Sequence, residues 1–128
     1  EAVTRAFVGQ TVAAMERLGA ARGRIAAAVG PCIAQAGYEV GPDLRGAVLA
    51  RNAADARFFA EGRREGRWRF DLAGYCAARL GALGLGAVDV AASVDTLADE
   101  ARFFSHRRRT LNGGGPLGHQ LSAVALAP

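Results

Sequence analysis

The chain contains no lysine, so all 16 of its positive charges are arginine, against 12 acidic residues. The resulting formal charge of +4 favours an anionic partner, but it does not distinguish a nucleic acid from a phosphate or a phosphorylated metabolite. Cysteine is scarce as well, since Cys32 and Cys76 are the only two. A chain of 128 residues can bury enough core to fold without a disulfide, so we expect both to be thiols in a reducing cytoplasm.

Long hydrophobic runs are also missing. No segment approaches the roughly 20 apolar residues that a membrane-spanning helix needs, and residues 1–10 lack the basic and then apolar plan of a signal peptide. The hydrophobic fraction is nevertheless 51%, which argues against disorder. We therefore expect a cytoplasmic protein with no membrane partner, in which residues 1–128 form a single domain.

Helical spacing of apolar residues begins in the first turn of the chain, with no N-cap before it. The residues in this stripe are Val3, Phe7, Val8, Val12, Met15 and Leu18. The pattern predicts a helix that ends near Gly19. Because the chain also lacks an initiator methionine, we expect it to be the C-terminal part of a longer protein.

Short apolar segments and helical patterns alternate along the rest of the chain. The pattern predicts strands at residues 24–30, 87–94 and 119–126, and helices at residues 43–56 and from the N-cap Asp71 to Gly84. Residues 57–69 mix aromatic and charged side chains with two glycines, which is typical of a loop or a hairpin with an exposed basic tip. Helices that alternate with short strands predict an α/β or α+β domain.

Cys32 directly follows the first predicted strand, where residues of functional sites are often found. It could be a nucleophile, a metal ligand or a small buried hydrophobe. A catalytic thiol needs a base or a positive field, and the nearby Tyr38 and Glu39 are not cationic. The cysteines and histidines of the chain lack the tight spacing of a structural zinc module, so we do not predict a metal site made from this chain alone.

The strongest local signal is the segment RFFSHRRR, residues 102–109. Guanidinium groups bind phosphate through two parallel hydrogen bonds, and Phe103 or Phe104 could stack on a base. The alternative is that these arginines are solvated or paired with Asp99 and Glu100. The sequence alone does not distinguish between these two interpretations.

A second basic cluster surrounds Trp68 and consists of Arg63, Arg64, Arg67 and Arg69. Arginines on phosphates with a tryptophan stacked on a base would suit a nucleic acid. Glu61 and Glu65 lie within the same cluster, which favours a solvated loop instead.

Three segments in this order, GPCIAQAGYEVG, WRFDLAGYCAARLGALGL and DEARFFSHRRR, resemble the C-terminal half of the laccase-domain family, also called multicopper polyphenol oxidase-like. The resemblance covers almost the whole chain. It implies a layered α/β sandwich of the cysteine-hydrolase-like type, incomplete without an N-terminal half. It also implies a zinc site, for which copper could substitute, with two histidines and a cysteine as ligands that lie upstream of Glu1.

The resemblance assigns candidate roles to eight residues. Substrate and phosphate contacts would come from Phe103, Phe104, Ser105, Arg107 and Arg108, and the pocket would be lined by Cys32, Tyr38 and Glu39. Arg107 or Arg108 is the expected phosphate contact, and Cys32 is expected to be structural. Two departures from the family pattern are Asp95, where cysteine is common, and His119, where arginine is common.

Bacterial members of this family are regarded as purine nucleoside phosphorylases with adenosine deaminase activity, and some as peptidoglycan editing factors. The resemblance therefore implies a zinc-dependent enzyme acting on adenosine, inosine and methylthioadenosine-class nucleosides with phosphate. Its partner would be the missing N-terminal half, and this chain alone would be inactive. The alternatives are a peptidoglycan-editing hydrolase on the same fold and an arginine-rich nucleic-acid-binding module.

Overall fold

Helices and strands alternate along the chain in a computed structural model that describes residues 2–91 and 94–125, with side chains described from residue 8 onward. The helices are α1 (Ala2–Arg17), α2 (Pro42–Leu49), α3 (Leu72–Gly81) and α4 (His106–Leu111). The strands are β1 (Ala26–Val29), β2 (Glu39–Val40), β3 (Phe59–Glu61), β4 (Trp68–Phe70) and β5 (Ala87–Val90). This mixed architecture confirms the predicted α/β class.

The strands form two separate sheets. β1 and β5 pair in parallel, with Ala26 opposite Ala87 and Val29 opposite Val90. The other sheet is antiparallel and has the order β2-β4-β3. Within the described ranges, no helix is both long and apolar enough to cross a membrane.

The hydrophobic core lies on one face of the antiparallel sheet. Its buried members are Val40, Val48, Phe58, Phe70 and Tyr75. The Phe70 ring stacks on the Phe59 ring at 4.6 Å between centroids, and Phe58 meets Tyr75 edge to face at 5.7 Å. Offset and edge-to-face rings add attraction beyond the area they bury. The aromatic residues therefore fix how the sheet packs on α2 and α3.

The opposite face of the antiparallel sheet is polar. Side chains alternate between the two faces of a strand, so Arg69 points away from the core that its neighbours Trp68 and Phe70 join. In the ladder Arg69 lies opposite Glu39 on one side and Ala60 on the other. This alternation places a carboxylate and a guanidinium side by side on the polar face.

Several local predictions are confirmed. The Asp71 carboxylate accepts the Gly74 N–H at 2.9 Å and so caps α3 as predicted. β3 and β4 form the predicted hairpin with its basic tip at residues 62–67. β1 and β5 lie within the predicted strands at 24–30 and 87–94, although residues 92 and 93 are outside the described ranges.

The opening helix is confirmed, but its predicted stripe is only partly buried. Val12 is 5% exposed, whereas Leu18, beyond the end of α1, is 89% exposed. The side chains of Val3 and Phe7 lie outside the described part of the chain. The helix predicted at 43–56 is too long, because α2 ends at Leu49. The Asn52 side chain accepts the Ala54 N–H at 3.1 Å and caps a separate 3₁₀ helix, Ala53–Phe58.

The strand predicted at 119–126 is wrong for residues 119–125, which form no strand. Leu121 and Val124 are 92% and 98% exposed, so the alternating pattern buries nothing here. Residue 126 lies outside the described ranges. A strand needs a neighbouring strand to pair its backbone, and apolar alternation alone does not supply one. The triple glycine before the segment has positive φ at all three positions, 113–115, a backbone conformation that glycine adopts without strain.

Candidate functional site

A cleft of about 420 Å³ lies between the polar face of the antiparallel sheet and α4. Its arginines come from two distant parts of the sequence: Arg63, Arg64 and Arg69 from the hairpin, and Arg107 from α4. Glu39 on β2 lines the same space. We call this space the arginine cleft. The fold thus joins the two basic segments that the sequence presented separately.

The Glu39 carboxylate is held by the hairpin. Its Oε1 accepts from Arg64 Nε at 2.7 Å, and its Oε2 accepts from the Arg63 backbone N–H at 2.9 Å. The hydrogen bond from the Arg64 side chain, followed by the one from the Arg63 backbone, lowers the pKa of Glu39 below its ordinary value. The carboxylate is therefore ionised at neutral pH and is the negative group among the arginines of the cleft.

Arg107 enters the cleft from the short helix α4, whose N-cap is Ser105. The Ser105 hydroxyl accepts the Arg108 N–H at 3.3 Å and so starts the helix. Arg107 Nη2 donates to the Glu39 carbonyl oxygen at 2.9 Å, and its Cζ lies 5.9 Å from the centre of the Tyr38 ring. One of the five guanidinium N–H groups is thus used to hold α4 against β2.

Arg108 points elsewhere and binds backbone. Its Nη1 donates to the carbonyl oxygens of Thr96 at 3.0 Å and Leu97 at 2.8 Å, and its Nη2 donates to that of Phe103. The predicted pairing with Glu100 is loose, at 3.8 Å. Arg108 therefore fastens the 96–103 segment to α4, while Arg107 lies in the cleft.

The two phenylalanines before α4 have different surroundings. The Phe103 ring is half-buried, with the Arg102 guanidinium 5.5 Å from its centre. Phe104 is 55% exposed and lies against Gly118, where an added Cβ would come within 2.3 Å of the ring. Arg102 itself pairs with Asp99, as the solvated interpretation of this segment expected.

Cys32 lines a different space, a cavity of about 350 Å³ at the carboxyl ends of β1 and β5. We call it the thiol cavity, and its lining includes Gln35, Asp71 and Val90. The segment that carries Cys32 also borders the arginine cleft, through Ala36. The three residues predicted to line one pocket are thus separated: Glu39 lies in the cleft, Tyr38 packs against the core, and Cys32 lies in the thiol cavity.

The surroundings of Cys32 favour the protonated thiol. Burial raises the pKa of Cys32, and the carboxylates of Asp71 and Asp95 raise it further. Burial likewise raises the pKa of Cys76, which lies on α3. A nucleophilic cysteine needs the opposite environment. The structural role expected for Cys32 stays a prediction, and this environment suits it.

Asp95, the first departure from the family pattern, ties two loops together. Its Oδ1 accepts the Leu97 N–H at 2.8 Å and the Ala34 N–H at 3.1 Å. The Thr96 N–H donates to the Cys32 carbonyl oxygen at 3.1 Å alongside it. A carboxylate at this position therefore fixes the segment after β1. His119, the second departure, lies on the exposed segment that follows the triple glycine.

The zinc ion that the resemblance implies has no donor set in this part of the molecule. Among the described residues, no three histidine, cysteine, aspartate or glutamate side chains cluster closely enough to hold a metal ion. The residues present therefore do not fit the metal.

The cluster around Trp68 is not arranged to stack on a base. The Trp68 ring packs against the core, and the Arg45 guanidinium from α2 lies 4.7 Å from its centre. Only the arginines of this cluster face outward. The sequence did not identify Arg63, Arg64 and Arg69 as phosphate-site residues. The placement of Arg69 between Trp68 and Phe70 is a signal that could have shown it points away from the core.

Comparison with known proteins agrees with this architecture. A solved structure of a Neisseria meningitidis protein, described as belonging to the family DUF152, superposes with a TM-score of 0.72 and 28% sequence identity. The match covers 83% of this chain and 42% of that one.

Curated sequences show the same relationship. A purine nucleoside phosphorylase from Deinococcus radiodurans is 44% identical over 79% of this chain and 38% of its own length. One from Xylella fastidiosa is 36% identical over 83% of this chain and 40% of its own length. This chain thus spans about two fifths of the length of these relatives. The family described as multi-copper polyphenol oxidoreductase laccase matches residues 2–127, and the chain belongs to that family.

Proposed function

We propose that the whole protein is a zinc-dependent purine nucleoside phosphorylase with adenosine deaminase activity, and that this chain supplies its phosphate site. Two relatives of this chain carry the name purine nucleoside phosphorylase. The observation that carries the proposal is the arginine cleft, in which Arg107 and three hairpin arginines surround one space. Guanidinium forks match the geometry of phosphate oxygens. The zinc ligands would come from outside the described residues.

In phosphorolysis, a phosphate oxygen forms a bond to C1′ of the ribose while the bond from C1′ to N9 of the purine breaks. The products are ribose 1-phosphate and the free base, which takes up a proton. In this proposal Arg107 holds the phosphate dianion and orients one oxygen toward the sugar. The arrangement suits this role because Arg107 is already fixed by Tyr38 and by the Glu39 carbonyl oxygen, so little side-chain entropy is lost on binding.

The aromatic residues before α4 are proposed to contact the purine. Phe104 is 55% exposed, which leaves a ring surface on which a base can stack. Ser105 and Arg108 are proposed to act indirectly, by forming the N-terminus of α4 and by holding the 96–103 segment. These contacts position the Phe103 and Phe104 backbone relative to Arg107.

The test follows release of hypoxanthine from inosine, and of inosine from adenosine, by the whole zinc-loaded protein with phosphate present. We expect Arg107→Ala to raise the KM for phosphate about 10-fold or more, corresponding to about 1.4 kcal/mol. The matched control is Arg102→Ala, which removes an arginine that pairs with Asp99. That variant should keep the wild-type KM.

Two results would count against the proposal. One is a folded, zinc-loaded protein that releases no base from any purine nucleoside. The other is an Arg107→Ala variant whose KM for phosphate equals that of the Arg102→Ala control.

A further inference from the structure

Glu39 is placed where a bound oxyanion would be expected. Its side chain is only 12% exposed, although it is an ionised carboxylate. Its two oxygens accept a guanidinium Nε–H from Arg64 and a backbone N–H from Arg63. Arginine forks and backbone N–H groups are also the donors that proteins use for phosphate. The carboxylate therefore occupies donors that suit a ligand.

The partner of Glu39, Arg64, lies at the surface of the molecule. The Arg64 side chain is 71% exposed and lies on the hairpin tip, where Gly66 adopts a φ of +68°. The Glu39 carboxylate is nearly buried, but the Arg64 guanidinium is open to water, which screens its charge and leaves it accessible to a second anion. A dianion that entered the cleft could therefore draw Arg64 away from Glu39.

Arg107 remains in place during such an exchange. It donates to the backbone carbonyl oxygen of Glu39 and not to the carboxylate. Releasing the Glu39 side chain would leave that hydrogen bond intact. One arginine of the cleft is thus anchored, while another is held by a replaceable anion.

We propose that Glu39 is an internal counter-anion, which competes with tetrahedral oxyanions such as phosphate for Arg64 and for the Arg63 N–H. Glu39 then sets the affinity of the cleft. A phosphate dianion, with two charges and more acceptor oxygens, displaces the carboxylate, whereas a monoanion such as chloride does not. The choice of phosphate as ligand rests on the proposed function, but the competition itself does not depend on catalysis.

The experiment measures binding of inorganic phosphate to the whole protein at pH 7 and low ionic strength, by calorimetry and by the NMR resonance of Arg64 Nε–H. We expect Glu39→Gln to bind phosphate at least about 10-fold more tightly than the wild type. Glu61→Gln is the matched control, since it removes the same charge from another strand of the same sheet. Glu61 is exposed and its side chain lies on the other face of the sheet, so its substitution should change the dissociation constant less than about 2-fold.

A second variant keeps the proposal testable if Glu39→Gln does not fold. Arg64→Ala changes an exposed side chain, and we expect it to weaken phosphate binding while the far-ultraviolet circular dichroism stays unchanged. Combined with Glu39→Gln, it should abolish the gain in affinity.

The proposal is overturned if Glu39→Gln binds phosphate no more tightly than the wild type, if neither binds it, or if Glu61→Gln gains as much. It is also overturned if Arg64→Ala binds as tightly as the wild type. Failure of the proposed function is separate. A protein that binds phosphate in this way but releases no base would refute the proposed enzymatic activity and would still support the role of Glu39 as a counter-anion.

Discussion

The arginine cleft and the thiol cavity lie beside the same segment of chain, and their surroundings have opposite effects on the stability of a negative charge. In the cleft, Arg64 and the Arg63 N–H lower the pKa of the Glu39 carboxyl. In the cavity, burial and two neighbouring carboxylates raise the pKa of the Cys32 thiol. The first environment stabilises an anion and the second opposes one. An anionic substrate group is therefore expected in the cleft, and a neutral thiol in the cavity.

The two regions also differ in how well their strands are packed. The sheet under the cleft buries Phe70 to 2% exposure, whereas Val90 on the parallel pair beside the cavity is 36% exposed. Parallel strands are usually covered on both faces. The sheet beneath the cleft is therefore packed against the core, whereas the parallel pair is left partly exposed among the described residues.

The largest expected effect tests this difference in packing. Phe70→Ala removes a ring that stacks on Phe59 and meets Tyr75, so we expect it to lower the free energy of unfolding by about 3–5 kcal/mol. Val90→Ala should cost less than about 1 kcal/mol, because the side chain is already partly in water. Urea unfolding followed by circular dichroism gives both values. If both variants lost the same free energy of unfolding, the two regions would be equally well packed.

A smaller effect separates two arginines of the segment at residues 102–109. Arg108→Ala removes hydrogen bonds to three backbone carbonyl oxygens and should lower the free energy of unfolding by about 1.5–3 kcal/mol. Arg102→Ala removes an exposed pair with Asp99 and a contact with the Phe103 ring, and it should cost about 0.5 kcal/mol or less. Thermal unfolding of both variants provides the comparison. If Arg108→Ala is as stable as the wild type, the fastening role assigned to Arg108 is wrong.

The smallest effect concerns the reactivity of Cys32. A raised pKa means less thiolate at a given pH, so alkylation of Cys32 by iodoacetamide should reach half its maximal rate at a higher pH than free cysteine does. Asp95→Asn removes one of the carboxylates that raise this pKa and should move the midpoint downward. Asp89→Asn, at an exposed position on β5, should leave it unchanged. Site-resolved mass spectrometry follows the alkylation. A half-maximal rate at a lower pH than that of free cysteine would show that the cavity stabilises the thiolate.

Much of the fold followed from local patterns. Asp71 as an N-cap and the strand before Cys32 are specified within a few residues, and the structure has both. For residues 57–69 the sequence left a loop or a hairpin open, and the structure has a hairpin from Phe59 to Phe70. The failures were of another kind. The strand expected at 119–125 needed a neighbouring strand, and the helix after Pro42 was cut short by a side chain, Asn52, that offered the backbone a competing hydrogen bond.

The sequence by itself determined which charges the chain carries and where they lie along it. All of its cations are arginine, they are concentrated in two basic segments, and Arg69 stands between Trp68 and Phe70. Only the tertiary structure brought those segments together and separated Arg107 from Arg108. Successive residues of a helix point about 100° apart, so one faces the cleft and the other the 96–103 segment. Which of the two arginines faces the cleft depends on how α4 docks on β2. That docking is made by contacts between residues far apart in the chain.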